Sequence, residues 1–444
     1  MRNNLTQGAI ASQLIKLTLP MVGGIAAIVA FNLADTYFVG QLGTDRLAAM
    51  SFTFPIVLTL GNLALGLGIW ASSIIARAIG EGDRSKVQRL TTNSLTLGVV
   101  AVVVLASVGL LTIEPLFLAL GADDTVMPYI KEYMQIWYFG MMFLVVPMVG
   151  NSAIRAAGDT STPSLIMTFS AGLNILLDPL LIFGLWGFPE LGLSGAALAT
   201  VISRAMTLIA SLLILKFKEN MLTARLPGLR ATLCCWRDIL TVGLPAAGSS
   251  MITPISIGVI TSFLATYGSA TVAGFGVASR VESFSLIVLM ALSASIAPFV
   301  GQNWGAKKYQ RVTTALSQSY LFCLVWGLLA AILLSVLGAS IAGLFNQNPE
   351  VIAIARTYLL GVPITYGAAG IILVTNSTFN ALGRPLPPVI ITVSRMLVLY
   401  VPLAYVGSRL FGAWGVFVAA AIANGVMGLV AYLWSRRICP QRFS

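Results

Sequence analysis

The 444-residue chain contains no histidine, and only 9% of its residues are charged. It also lacks a Walker A segment, and its four cysteines (Cys234, Cys235, Cys323 and Cys439) show no metal-binding spacing. With no imidazole, no metal set and no phosphate-cradling loop, the chain is read as a non-enzyme that uses neither a cofactor nor ATP. No disulfide or metal role is expected of the cysteines. A soluble globular domain averages roughly 25% charged residues, so the shortage of charge excludes that class too.

What replaces charge is apolar length. Hydrophobic residues make up 57% of the chain, and they fall in continuous runs of about 20, the length a helix needs to cross a ~30 Å hydrocarbon core. A membrane β-barrel would show short alternating segments instead, leaving helices as the spanning solution. The sequence therefore predicts an all-α integral membrane protein. Its twelve transmembrane spans fall at about 14–40, 50–75, 92–113, 129–150, 163–185, 192–215, 240–265, 272–300, 315–345, 352–375, 388–408 and 413–434. The first run is span-length and carries no small-residue cleavage pattern, so it is read as a retained helix.

Basic residues orient the chain. With both termini inside, Arg2, Lys16, Arg77, Arg84, Lys86, Arg89, Arg155, Lys216, Lys218, Arg225, Arg230, Arg237, Lys307, Lys308, Arg311, Arg384, Arg436, Arg437 and Arg442 gather on the cytoplasmic side. Only Arg46, Lys131, Arg356 and Arg409 fall outside. The net charge of +11 is thus a topology signal. No basic soluble domain exists to hold nucleic acid, and none is expected as a partner.

Adding 225 to first-half positions recovers second-half residues: Leu19-Pro20 meets Leu244-Pro245, Gly43 meets Gly268, Ala48 meets Ala273, and Val126 and Tyr133 meet Val351 and Tyr358. "RAAGDTSTP" from Arg155 faces "NALGRPLPP" from Asn380 through Gly158/Gly383 and Pro163/Pro388. Six spans per half bring both halves in from the same side, giving a parallel repeat and two six-helix lobes. The expected division is an N-lobe at 1–215, a cytoplasmic linker at 216–239 and a C-lobe at 240–444.

Four segments, "LIKLTLPMVGGIAAIVAFNLADTYFVGQLG", "ARAIGEGD", "NSAIRAAGDTSTP" and "VGQNWGA", resemble the multidrug and toxic compound extrusion (MATE) family. The carboxylate pair below is similar to that of its bacterial DinF-like branch. The resemblance covers essentially the whole chain. It implies a V-shaped exporter of amphipathic, often cationic, drug-like compounds, driven by inward H⁺ or Na⁺ flow. In the family a bend of the first helix linked to acid protonation is the proposed coupling element, which here means Pro20 together with Asp35.

The residues point the same way. Asp35 lies about 21 residues along span 1, in its outer half at ~1.5 Å per residue. Asp178 lies 15 residues after Pro163 in span 5, which runs in the same direction, so the two acids reach similar depths. Each has an amide on its own helical face, Asn32 beside Asp35 and Asn174 beside Asp178. Two carboxylates close together in a low-dielectric site do not both ionise cheaply, so one holds a proton that it can exchange. With Asn174 and Thr200 the same oxygens offer a ring for Na⁺; H⁺ is favoured on the branch resemblance. Asn151, Tyr37 and Pro20 complete the supporting candidates.

In the second lobe Asp35 and Asp178 map to Ile260 and Leu403, and span 10 carries Asn376 and Asn380 rather than an acid. Glu282, Arg280 and Arg395 are the second-lobe candidates. Arg280 and Glu282 fall on different faces of span 8, and Arg395 is placed to pair with Glu282. Arg204 is expected to reach toward a polar face. Trp137, Tyr138, Met141, Met142, Phe143 and Tyr366 offer a soft wall for planar ligands.

The sequence-level reading is therefore a cation-coupled multidrug efflux antiporter, monomeric, in the bacterial inner membrane. The alternatives are Na⁺ coupling or a lipid-linked sugar flippase of the related superfamily. A flippase would line its cavity with basic residues, whereas the first-lobe candidates are acidic.

Overall fold

The structure, a computed structural model, describes residues 5–42, 44–223 and 229–438, and among them every regular element is helical. Helix α1 spans Ile10–Gly40, α2 Thr44–Glu81, α3 Arg84–Ala119, α4 Met127–Ala156, α5 Ser161–Phe183 and α6 Leu193–Leu213, with a π-helical turn at Ile214–Lys218. Helix α7 spans Leu229–Ala265, α8 Ser269–Gly305, α9 Tyr309–Phe345 and α10 Pro349–Ala381, the last tightening to a 3-10 turn at Val362–Thr365. Gly43 and the side chains of Ala48, Cys234 and Cys235 lie outside the described residues, as do Arg2, Arg225, Cys439 and Arg442. Cys323 is free and buried.

Eleven segments among the described residues are long and apolar enough to cross a membrane, and the last of them, Leu386–Arg437, runs to 52 residues. It contains two spans. Gly412 within it has φ 63° and ψ −149°, a conformation no L side chain holds comfortably. A Cβ on Gly407 would stand 2.6 Å from the Gly415 carbonyl oxygen, although residues eight apart in a straight helix are separated by about 12 Å. The chain therefore folds back at Gly412, giving α11 (386–411) and α12 (413–438) and the twelve spans expected.

The described residues divide into two compact units, one of residues from 19 to 247 and the other of residues 5–18 and 248–438. Thus the first turns of α1 belong to the second unit, and the rest of the helix, from Leu19, to the first. The N-terminal segment is held in the second unit by donors on its α8–α9 turn. Asn303 Nδ2 reaches the Leu5 carbonyl at 3.1 Å, Lys308 Nζ the Thr6 carbonyl at 2.8 Å, and Arg311 Nη1 the Gly8 carbonyl at 2.8 Å. The stretch read from sequence as a linker is partly helical, since α7 begins at Leu229; residues 224–228 are outside the described set.

Within each unit, small residues let helix backbones approach, as membrane packing without a strong hydrophobic drive requires. In the first, a Cβ on Gly24 of α1 would lie 2.7 Å from Ser164 Oγ of α5, and one on Gly195 of α6 would lie 2.3 Å from the Leu181 carbonyl oxygen. Ser164 Oγ also donates to the Pro20 carbonyl, tying α5 to α1 where a proline interrupts it. In the second, Gly327 of α9 meets the Gly367 backbone of α10. The repeat is visible in backbone conformation as well: Gly158 and Gly383 are both left-handed, with φ 86° and 73°, and so are Gly187 and Gly412, with φ 88° and 63°.

Candidate functional site

The α1–α5 contact sets the register of the acids. From Gly24 to Asp35 is about 16 Å along α1, and from Ser164 to Asp178 about 21 Å along α5, so the two carboxylates arrive at nearly one level. They lie close enough to act on each other electrostatically, and both act on Tyr133 of α4, which is itself buried. Asp178 is fully buried. The Asn174 amide, in the orientation that satisfies its neighbours, donates to Asp178 Oδ2 at 3.0 Å and accepts from the Thr200 N–H at 3.2 Å. Asp178 Oδ1 has no partner. Asp35 is half-buried and has no hydrogen-bond partner among the described residues.

A charge in a membrane helix costs roughly 2.5–3.5 kcal/mol on insertion scales, and a buried carboxylate oxygen without a donor adds to that cost. No basic residue forms an ion pair with either acid among the described residues. An added proton relieves the first of these costs, since a protonated carboxyl group is neutral.

Some expected neighbours are absent. Asn32 is exposed and makes no hydrogen bond to Asp35 among the described residues; its carbonyl instead accepts from Thr36 Oγ1 at 2.8 Å. Sharing a helical face brings the amide near the acid without turning it inward. Tyr37 is exposed and sits edge-on to Phe38. Asn151 is buried with its Oδ1 unpartnered, and its repeat mate Asn376 has the same orphaned oxygen. Arg204 of α6 meets an aromatic ring rather than a polar face, its guanidinium carbon 5.8 Å from the centroid of Phe31. Most of the anticipated ligand wall is unavailable: Trp137, Tyr138, Met141 and Tyr366 are packed inside their units, Tyr138 against Gly109 of α3, while Met142 remains exposed.

The second unit has a separate polar cluster. Tyr358 Oη donates to Glu282 Oε2 at 2.5 Å, and Tyr366, Tyr400 and Arg395 lie within the electrostatic reach of Glu282. Arg395 sits on a π-helical turn, Ser394–Tyr400, with its Nε unpartnered. No Arg395–Glu282 ion pair forms within 4 Å, so the expected pairing acts at a distance and Tyr358 holds the carboxylate instead. Arg280 is exposed.

The MatE family model matches the chain twice, over residues 20–180 and 245–406, with starts 225 residues apart. The chain belongs to the MATE family. It is 39% identical over 438 residues to a FAD transporter of Shewanella oneidensis, covering 99% of this chain and 97% of that one. It is 27% identical to the probable multidrug resistance protein NorM of Thermotoga maritima, over 96% and 94% of the two chains. Among solved structures it is similar to the Vibrio cholerae MATE transporter VcmN in the bent form, at 31% identity, 96% coverage of each chain and a TM-score of 0.90. This MATE member is a multi-pass membrane transporter.

Sequence reasoning missed Tyr133 and Tyr358 as site residues. The signal was present, since the two are repeat mates, yet they served only to fix the register. In the structure Tyr133 lies within the electrostatic reach of Asp35 and Asp178, and Tyr358 donates to Glu282.

Proposed function

We propose that this MATE member exports amphipathic planar compounds in exchange for protons, with Asp35, Asp178 and Asn174 as the proton-carrying group. The observation that carries this reading is the state of Asp178. It is fully buried, with one oxygen on Asn174, the other unpartnered, and a second carboxylate acting on it. A pair in that setting holds a proton in one state and releases it in another. Each exchange changes the charge on α1 above Pro20, where the helix lacks a backbone bond and bends most readily. Thr200 supports Asn174. The basic-residue pattern favours a bacterial inner membrane with both termini in the cytoplasm.

The test is transport by the full chain in proteoliposomes. A pH gradient in sodium-free buffer should drive movement of a planar dye such as ethidium, and substrate addition should release protons. Movement that requires Na⁺ would transfer the role to a cation site on Asp35, Asp178, Asn174 and Thr200.

A second reading concerns the cargo. A relative 39% identical over nearly the whole chain is named a FAD transporter, and FAD is planar and amphipathic but anionic. FAD therefore belongs beside ethidium in the same assay.

A further inference from the structure

Arg204 lies 11 residues into α6, about 16 Å from its start and so near the middle of a ~30 Å hydrocarbon core. At that depth its side chain is too short to reach either membrane surface. Nor does it neutralise an acid: no carboxylate pairs with it among the described residues, and no acid contributes to its electrostatic surroundings. What it has is the face of Phe31 at 5.8 Å, and both residues are only half-buried.

The pair also has a fixed place relative to the acids. Phe31 is one helical turn before Asp35 on α1, and Arg204 is one turn after Thr200 on α6. Because the two helices run in opposite directions, both offsets point the same way, and the guanidinium stands one layer below the carboxylates. An aromatic ring behind a guanidinium holds its plane while leaving the N–H edge free for two oxygens of an oxyanion. A cationic cargo such as ethidium gains nothing from such a group. The missing countercharge is then supplied by the cargo itself.

We propose that Arg204, backed by Phe31, is an anion subsite that takes the phosphate of a planar, phosphate-bearing cargo of the flavin or nucleotide class. The inference rests on the export reading and names its cargo; it also makes Arg204 a specificity-determining residue. Guanidinium and phosphate match as a bidentate pair, and in a site of low dielectric that bond is strong.

Binding to the purified full-length protein, followed by quenching of flavin fluorescence, tests it. Wild type should bind FAD and FMN about tenfold or more tightly than uncharged riboflavin, the difference of one good charge-assisted contact. Arg204→Gln should erase that margin while riboflavin affinity stays within about twofold, and Arg204→Lys, which keeps the charge but not the fork, should fall between them. If Arg204→Gln does not fold, competition on wild type decides: ADP should displace FAD and adenosine should not. Equal binding of the three flavins, a uniform loss in Arg204→Gln, or equal displacement by ADP and adenosine overturns the subsite. Asp35→Asn should bind FAD normally yet lose pH-driven export, so failure of the coupling reading and failure of the subsite register in different assays.

Discussion

Positions 133 and 358 are the same place in the two halves of the repeat, and both hold a buried tyrosine in the field of a carboxylate. The acids they meet come from different helices. In the first unit Asp35 and Asp178 project from α1 and α5, no basic side chain pairs with them among the described residues, and one oxygen is unpartnered. In the second unit Glu282 projects from α8, receives the Tyr358 hydroxyl and has Arg395 in its field. The matched positions share the tyrosine, and the acids come from unmatched ones. On the proposed reading, the difference assigns proton exchange to the first unit: the second-unit acid has a donor and a cation to compensate it, and the first-unit pair has, among the described residues, neither a basic partner nor a full set of donors.

The largest expected effect tests that contrast directly. Asp35→Asn and Asp178→Asn should each reduce pH-driven export in proteoliposomes to the level of empty vesicles, while purified yield and melting behaviour stay near wild type. Glu282→Gln should leave export within about threefold of wild type. Loss of export in a well-folded Glu282→Gln variant, or normal export in Asp35→Asn, would reverse the assignment of the two units.

A smaller effect concerns the tyrosines. Tyr358→Phe removes the donor to a buried carboxylate and should destabilise the protein by about 1–3 kcal/mol, the cost of leaving such a group unsatisfied. It should show as a lower apparent melting temperature with export retained. Tyr133→Phe takes no comparable bond from the acids, so its stability change should be the smaller of the two. What it should alter is the pH dependence of export, because its hydroxyl dipole sits in the field of both carboxylates. If Tyr133→Phe proves the more destabilising of the two, the tyrosines do not serve their units as compared above.

Much of this was legible in the sequence. Helical class, the twelve spans and the 225-residue repeat follow from hydropathy and spacing alone, because a bilayer permits so few solutions. The nearness of Asp35 to Asp178 was legible because helical rise fixes depth, and that of Asn174 to Asp178 because four residues make one turn. Rotamer and packing were not legible. Asn32 shares a face with Asp35 yet points outward, and Trp137, Tyr138 and Met141, read as a ligand wall, are consumed by packing inside the first unit. Nothing in spacing distinguishes an aromatic that lines a path from one that fills a gap beside a glycine such as Gly109. Phe31 was invisible for the same reason, since a stacking partner on another helix leaves no mark on local periodicity.

The smallest predicted effect lies in the turn each unit makes after its left-handed glycine. Gly158 is followed by Asp159 and Gly383 by Arg384, so the matched turns carry opposite charge. Asp159 accepts from Lys218 Nζ at 2.6 Å, from Thr162 Oγ1 at 2.5 Å and from the Thr162 N–H at 2.9 Å, and so fixes the start of α5. Burial pushes its carboxyl upward, but the bonds from Lys218 and Thr162 outweigh that and hold it below the ordinary carboxylate value. A group depressed in the folded state adds stability above its unfolded value, about 3.9, and loses it as pH falls through the folded one. Asp159→Asn should therefore lower stability at neutral pH by roughly 1 kcal/mol or less, because Lys218 is half-exposed and water screens the pair. The gap to wild type should close as the pH drops below about 4. Arg384→Gln, which takes no carboxylate from its turn, should shift the melting temperature by about the same amount at every pH. Melting curves of the three proteins in one detergent between neutral and acid pH provide the test; an Asp159→Asn gap that widens in acid would show that Lys218 and Thr162 do not hold the carboxylate ionised.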